Sequence, residues 1–214
     1  MDRIRNRAID QFPMVLLTLL SIVQALALEL LWDHLRNRPD LYEYSWIALL
    51  GWVQIAASLM GIMLIWLIYS GMVMRFRWTP STADSILPFF VGLIEFLMID
   101  MMGPDKLGHW MLVLALVFAT MIVASHKVFQ RARRDPANRD WFDMFSPATL
   151  RDFLPHGMVF AALVLIGAWL WKSGNTGWPA LCALLITHVI LGYEIYNAAK
   201  FWNQSMGGAS TIRR

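Results

Sequence analysis

Hydrophobic residues in this chain fall into blocks of roughly 20, and the segments between the blocks carry most of the charge. An α-helix rises 1.5 Å per residue, so a block of about 20 apolar residues crosses the ~30 Å hydrocarbon core of a bilayer. The blocks show no sustained two-residue alternation, which argues against a transmembrane β-barrel. We therefore expect an all-α fold, a polytopic membrane helical bundle with six transmembrane helices. The predicted spans are about residues 12–32, 45–74, 86–102, 107–128, 153–171 and 178–201.

The composition supports a membrane protein. Of the 214 residues, 58% are hydrophobic and 15% are charged, and the mean hydropathy is +0.51. A soluble domain is about 45–50% apolar and about 25% charged, so the excess apolar surface is expected to face lipid. The first block is longer than the core of a secretory signal, which favours an uncleaved first span. Residues 1–214 are predicted to form a single transmembrane domain.

The distribution of lysine and arginine predicts the orientation in the membrane. If the N-terminus is inside, 14 of the 18 basic residues fall in inner segments. The remaining four are Arg36, Arg38, Lys106 and Lys172. Because cytoplasmic loops are enriched in basic residues, we expect a multi-pass protein of the cell membrane with cytoplasmic N- and C-termini.

The largest inner loop, residues 130–152, mixes arginines with Trp141, Phe142 and Phe145. Such a pattern is typical of an amphipathic segment that lies along headgroups, so we predict a cytoplasmic amphipathic loop. A merely solvated linker is the alternative interpretation.

Charge and motifs exclude several classes of partner. The net charge of +3 is small and dispersed around apolar blocks, so no nucleic acid is expected to bind. A single cysteine, Cys182, can form neither an intrachain disulfide nor a cysteine metal site. No nucleotide-binding, hydrolase or zinc-protease motif appears, and no cofactor is predicted. The expected partner is the lipid bilayer, with other membrane subunits or a homo-oligomer as alternatives.

The entries to the third and fifth blocks resemble each other. Residues 79–82 (Thr-Pro-Ser-Thr) precede Pro88 as residues 146–149 (Ser-Pro-Ala-Thr) precede Pro155. Ser or Thr followed by Pro is a helix-start signal, because the hydroxyl accepts an unpaired backbone N–H and proline needs no partner in the first turn. A similar but weaker pattern surrounds Pro13 at the start of the first block. Together these entries suggest three repeated two-helix hairpins. Simple recurrence of good helix-entry chemistry is the alternative.

Polar residues inside the blocks are the main functional candidates. A charge near the bilayer centre costs about 2.5–3.5 kcal/mol, so it needs a partner, a hydrated cavity or a proton. Gln24, Glu95 and His188 are expected near mid-depth. Three further carboxylates are expected nearer the ends of the spans, namely Glu29, Asp100 and Glu194. If these faces converge, they form a polar core that could carry protons or bind a cation. The alternative is interhelical hydrogen bonding, with the terminal carboxylates reaching headgroups.

The fourth block begins with Asp105, Lys106 and His109 in an Asp-Lys-x-x-His pattern. Asp105 can cap the helix, and His109 follows four residues later on the same face. This start to a membrane helix resembles the signature of VanZ-like membrane proteins, and the resemblance covers this helix entry alone. The three residues form a candidate outer-face cluster. With Asp100 they fall short of a closed three- or four-ligand set, so no metal site is predicted.

Three functions compete on these residues. The preferred hypothesis is a small transporter or channel for a proton, a cation or a cation-coupled small solute, centred on Glu95 and His188. The second is a non-catalytic membrane subunit or scaffold that packs through the small residues Gly51, Ala57 and Gly61. The third, an enzyme acting on lipid-linked substrate at the outer face, is the least favoured.

Overall fold

The computed structural model describes residues 2–143 and 150–207, and within these ranges the protein is helical and has no β-strand. Six long helices and one short one follow in chain order: α1 (Asp2–Arg36), α2 (Trp46–Arg75), α3 (Thr82–Asp100), α4 (Leu107–Ala132), α5 (Arg139–Phe142), α6 (Leu150–Ser173) and α7 (Trp178–Gly207). The six long helices are long and apolar enough to cross a bilayer, and each overlaps one predicted span. The all-α bundle with six long apolar helices is confirmed, and it is compatible with a multi-pass membrane protein.

The helices alternate in direction, so the bundle has two distinct ends. At one end, here called the basic end, Arg77 after α2 forms an ion pair of 3.2 Å with Asp10 on α1. Asn138, in the connection after α4, accepts a hydrogen bond from the backbone N–H of Arg77 at 3.0 Å. At the opposite end, the indole N–H of Trp46 donates to the carbonyl oxygen of Thr176 at 2.6 Å. The connections are therefore tied to the bundle at both ends.

The centre of the bundle is formed by α2 and α4. Helix α1 packs against α3 and α2, α6 packs mainly against α4, and α7 packs mainly against α2. A close approach joins α4 to α6, because a Cβ atom at Gly108 would lie 2.7 Å from the carbonyl oxygen of Gly167. Glycine at this position is what lets the two helices meet.

The three predicted hairpins differ in how they pack. Helices α1 and α2 contact each other, and so do α3 and α4. Helices α6 and α7 contact each other at few positions, although only residues 174–177 separate them. The third pair is therefore splayed, with each helix held by a different central helix.

The start of α3 differs in detail from the sequence prediction. Ser81, rather than Thr79, is the N-cap, and the carboxylate of Asp84 accepts the backbone N–H of Ser81 at 2.8 Å. This capping box places Pro80 just outside the helix. The corresponding entry at residues 146–149 lies outside the described residues.

The predicted amphipathic loop is only partly described. Helix α4 continues to Ala132, and α5 lies within the loop. The rings of Trp141 and Phe142 pack against Phe76, with centroids 5.9 Å and 5.3 Å away. These two aromatic side chains therefore contact the basic end of the bundle itself. Phe145 lies outside the described residues.

Candidate functional site

Two of the predicted mid-depth residues meet between α1 and α3. The amide Nε2 of Gln24 donates to Oε1 of Glu95 at 2.7 Å, and both side chains are buried. Gly92, one turn before Glu95, permits this approach because the side chain of Val23 occupies the space that a Cβ would need. The second oxygen of Glu95 and the amide oxygen of Gln24 have no hydrogen-bond partner. The pair joins two helices and retains two unused acceptors.

His188 lies elsewhere in the bundle. It is on α7, which packs mainly against α2, and its Nδ1 lies 2.9 Å from the carbonyl oxygen of Leu184 on the same helix. Glu29 is exposed on α1. Neither residue is among the hydrogen-bond partners that the structure gives Glu95. The structure thus unites Gln24 and Glu95 without His188.

The candidate outer-face cluster is spread over the opposite end of the bundle. Asp105 and Lys106 are exposed, and the ammonium of Lys106 donates to the backbone oxygen of Asp100 at 3.1 Å. The ring of His109 packs against Trp171 with a centroid distance of 5.0 Å. In residues 2–143 and 150–207, no group of three or more His, Cys, Asp or Glu side chains could hold a metal ion.

Glu194 lies in a crevice bounded by α2, α4, α6 and α7. The crevice has a volume of about 250 Å³, and its walls are chiefly apolar from Gly61 on α2 to Phe129 on α4. Oε1 of Glu194 lies 3.4 Å from Nε2 of His156 on α6. The carboxylate side chain is 15% exposed and the imidazole 42% exposed, so neither group is fully enclosed by the protein. An acid–imidazole pair is thereby part of a largely apolar wall.

Sequence reasoning did not anticipate His156 as a site residue. Its position near the start of α6 fits an interfacial histidine equally well. Its pairing with Glu194 depends on how α6 and α7 splay, which is a long-range property of the bundle. No local signal in the sequence reports it.

A second cavity adjoins the crevice at the basic end. It has a volume of about 110 Å³ and shares Ile68 and Phe129 with the crevice walls. Arg75, at the end of α2, lines it, with the guanidinium carbon 4.0 Å from the centroid of Phe201. Nε and Nη1 of Arg75 are buried and have no hydrogen-bond partner. The sequence identified Arg75 only as one of many basic residues.

Other buried polar groups connect parts of the bundle. Oε1 of Gln54 accepts the backbone N–H of Gly103 at 2.9 Å, which steadies a turn where Gly103 has a φ of 133°. Between α3 and α4, Arg131 is hydrogen-bonded to both carboxylate oxygens of Asp84. This ion pair lines an open depression of about 620 Å³ at the basic end. Because Asp84 already neutralises Arg131, the depression offers only surface cations to a ligand.

Comparison with known protein families, with curated proteins and with solved structures finds no match.

Proposed function

We propose that this protein is a small multi-pass membrane transporter that moves an amphipathic solute together with a proton, through the crevice between α6 and α7. The observation that carries the proposal is the His156–Glu194 pair inside that crevice. The distribution of basic residues supports a cytoplasmic location for the basic end.

The crevice has the properties of a small-molecule site. Such sites are concave, mostly apolar and equipped with a few convergent polar groups. The crevice and its adjoining cavity, with about 250 Å³ and 110 Å³, together reach the lower end of the usual range of about 300–1,000 Å³. A solute with an apolar body and one polar head would match these walls.

The acid–imidazole pair could couple transport to proton binding. Imidazole changes its charge in the physiological pH range. A protonated His156 attracts the carboxylate of Glu194, whereas the neutral imidazole loses most of that attraction. Because α6 is held by α4 and α7 by α2, opening this pair leaves both larger interfaces intact. Proton loading would thus control the width of the crevice.

The small residues considered as a scaffold interface already pack against other side chains of this chain. The side chain of Leu41 covers Gly51, and Met98 and Leu114 lie 4.0 Å from the Cβ position at Gly61. Ala57 is fully buried. This stretch of α2 therefore packs within the bundle, which favours transport over a scaffold built on these residues. We assign Gln24 and Glu95 to holding α1 against α3.

The test uses the full chain in liposomes that enclose a pH-sensitive dye. Two probes share one apolar body and carry head groups of opposite charge: 4-phenylbutyl phosphate and 4-phenylbutyltrimethylammonium. We expect at least one probe gradient to change the internal pH faster than in protein-free liposomes. Glu194→Gln should slow this change at least about tenfold, equivalent to loss of one charge-assisted contact.

The matched control is Glu29→Gln, which removes an exposed carboxylate from α1 and should leave the rate unchanged. If neither probe gives a protein-dependent pH change, the transport proposal is wrong. Equal rates in Glu194→Gln and the unmodified chain would also contradict it.

A further inference from the structure

Arg75 is a partly buried cation with no ion-pair partner among the described side chains. None of the ion pairs between described side chains includes Arg75. Two of its three nitrogens, Nε and Nη1, are buried and lack any hydrogen-bond partner. An unpaired buried charge is costly, and this cost is relieved when an anion supplies acceptors.

Two aromatic side chains pack near this guanidinium and accept no conventional hydrogen bond from it. Its carbon atom lies 4.0 Å from the ring centroid of Phe201 and 5.2 Å from that of Trp202. Rings stacked on a guanidinium engage its faces, while its N–H groups point outward in the plane. In-plane N–H groups match the oxygens of a carboxylate or a phosphate. The aromatic contacts therefore orient Arg75 without satisfying it.

Space for a ligand exists beside Arg75. Gly71 lies one turn earlier on the same face of α2, and a Cβ atom there would have no neighbour within 4 Å. The cavity at Gly71 shares Ile68 and Phe129 with the apolar crevice. From Arg75 to Gly61, at the far wall, α2 rises about 21 Å. The cavity at the cationic end is thus a neighbour of the apolar crevice, with Ile68 and Phe129 as common lining residues.

We infer that Arg75 binds the anionic head, a carboxylate or a phosphate monoester, of an amphipathic molecule whose apolar body lies in the crevice. The inference rests on the proposed function for the role of the crevice, and it adds the charge of the solute. Arg75 receives the head at the basic end, and the His156–Glu194 pair contacts the body of the solute further in.

Binding is measured by equilibrium dialysis with the purified full chain in nanodiscs of phosphatidylcholine. The probes are 4-phenylbutyl phosphate, 4-phenylbutyltrimethylammonium and inorganic phosphate. We expect the phosphate ester to bind at least about tenfold more tightly than the trimethylammonium probe, as one charge-assisted contact would give. Arg75→Gln should abolish this preference.

Two further variants distinguish loss of the anion site from misfolding of the protein. Arg77→Gln removes a neighbouring arginine that is paired with Asp10, and it should bind the phosphate ester normally. Gly71→Leu fills the space beside Arg75 while keeping its charge, and it should weaken binding of the ester. Equal affinity for the two charged probes, or unchanged binding in both Arg75→Gln and Gly71→Leu, would overturn the inference.

Two additional binding measurements distinguish a soluble anion from a lipid headgroup as the ligand. Competition by inorganic phosphate indicates a soluble anion, whereas loss of ester binding in nanodiscs that contain phosphatidylglycerol indicates a lipid headgroup. Either result supports an anion site at Arg75. Anion binding without proton-linked flux would overturn the proposed transport alone, and flux that prefers the cationic probe would overturn the anion site alone.

Discussion

Nε2 of His156 on α6 lies 3.4 Å from Oε1 of Glu194 on α7, and this pair bridges two consecutive helices that otherwise make few contacts. Each helix is anchored separately, α6 on α4 and α7 on α2. The His156–Glu194 contact thus spans the crevice, whereas most of the packing of α6 and α7 is against α4 and α2. This arrangement underlies the proposed link between protonation and the opening of the crevice.

The hydrogen bond between Gln24 and Glu95 should stabilise the bundle. Gln24→Leu leaves the buried carboxyl group of Glu95 without its amide donor, and we expect the free energy of unfolding to fall by about 1 kcal/mol. The melting temperature, followed by tryptophan fluorescence, should decrease. Ser21→Leu is the control because Ser21 is exposed on the same helix. Equal melting temperatures in the two variants would rule out a stabilising role.

The ion pair of Asp84 and Arg131 should contribute more than a surface pair. The side chain of Asp84 is 5% exposed and that of Arg131 24% exposed, so Asp84→Asn leaves a largely buried cation unpaired. We expect a loss near the low end of ~3–5 kcal/mol. Asp33→Asn breaks an exposed pair with Arg36 and should cost less than about 1 kcal/mol. Similar melting temperatures for both variants would contradict this account.

Asp40 predicts a pH dependence of stability in the connection between α1 and α2. Hydrogen bonds of 2.7 Å and 2.6 Å from Arg38 lower the pKa of Asp40 below its usual value of 3.8. The stabilisation is therefore complete above that value and is lost as the pH falls toward the lowered pKa. Melting temperatures of the unmodified chain and Asp40→Asn should differ at pH 6 and begin to converge only as the pH falls below 3.8. A difference that persists unchanged at low pH would show that this carboxylate does not act through Arg38.

The six helices could be predicted because length and hydropathy are local properties of the sequence. Each apolar block needed only its own residues to satisfy the ~30 Å span. The N-cap of α3 was displaced from Thr79 to Ser81 because Asp84 completes a capping box there. Length and hydropathy thus located each helix, whereas the N-cap residue of α3 was predicted at the wrong position.

The candidate site depended on helix order and rotation, which the sequence does not report. Gln24 and Glu95 meet because α1 packs on α3, whereas His188 lies on α7, which packs mainly against α2. Glu194 was recognised as a polar residue in a span, but its partner His156 was not. In the sequence Arg75 resembles any basic residue at a helix end. Only the structure shows that two of its nitrogens are buried and have no hydrogen-bond partner. Long-range packing, rather than residue type, distinguishes these positions.

A double-mutant cycle of His156→Ala and Glu194→Gln tests the central claim most directly. The measured quantity is the rate of probe-driven change in internal pH of liposomes that contain each variant. If the two residues act as one proton-linked contact, each single variant should slow the rate, and the double variant should be no slower than the slower single one. Losses that multiply, or a rate that neither substitution changes, would contradict transport through this pair.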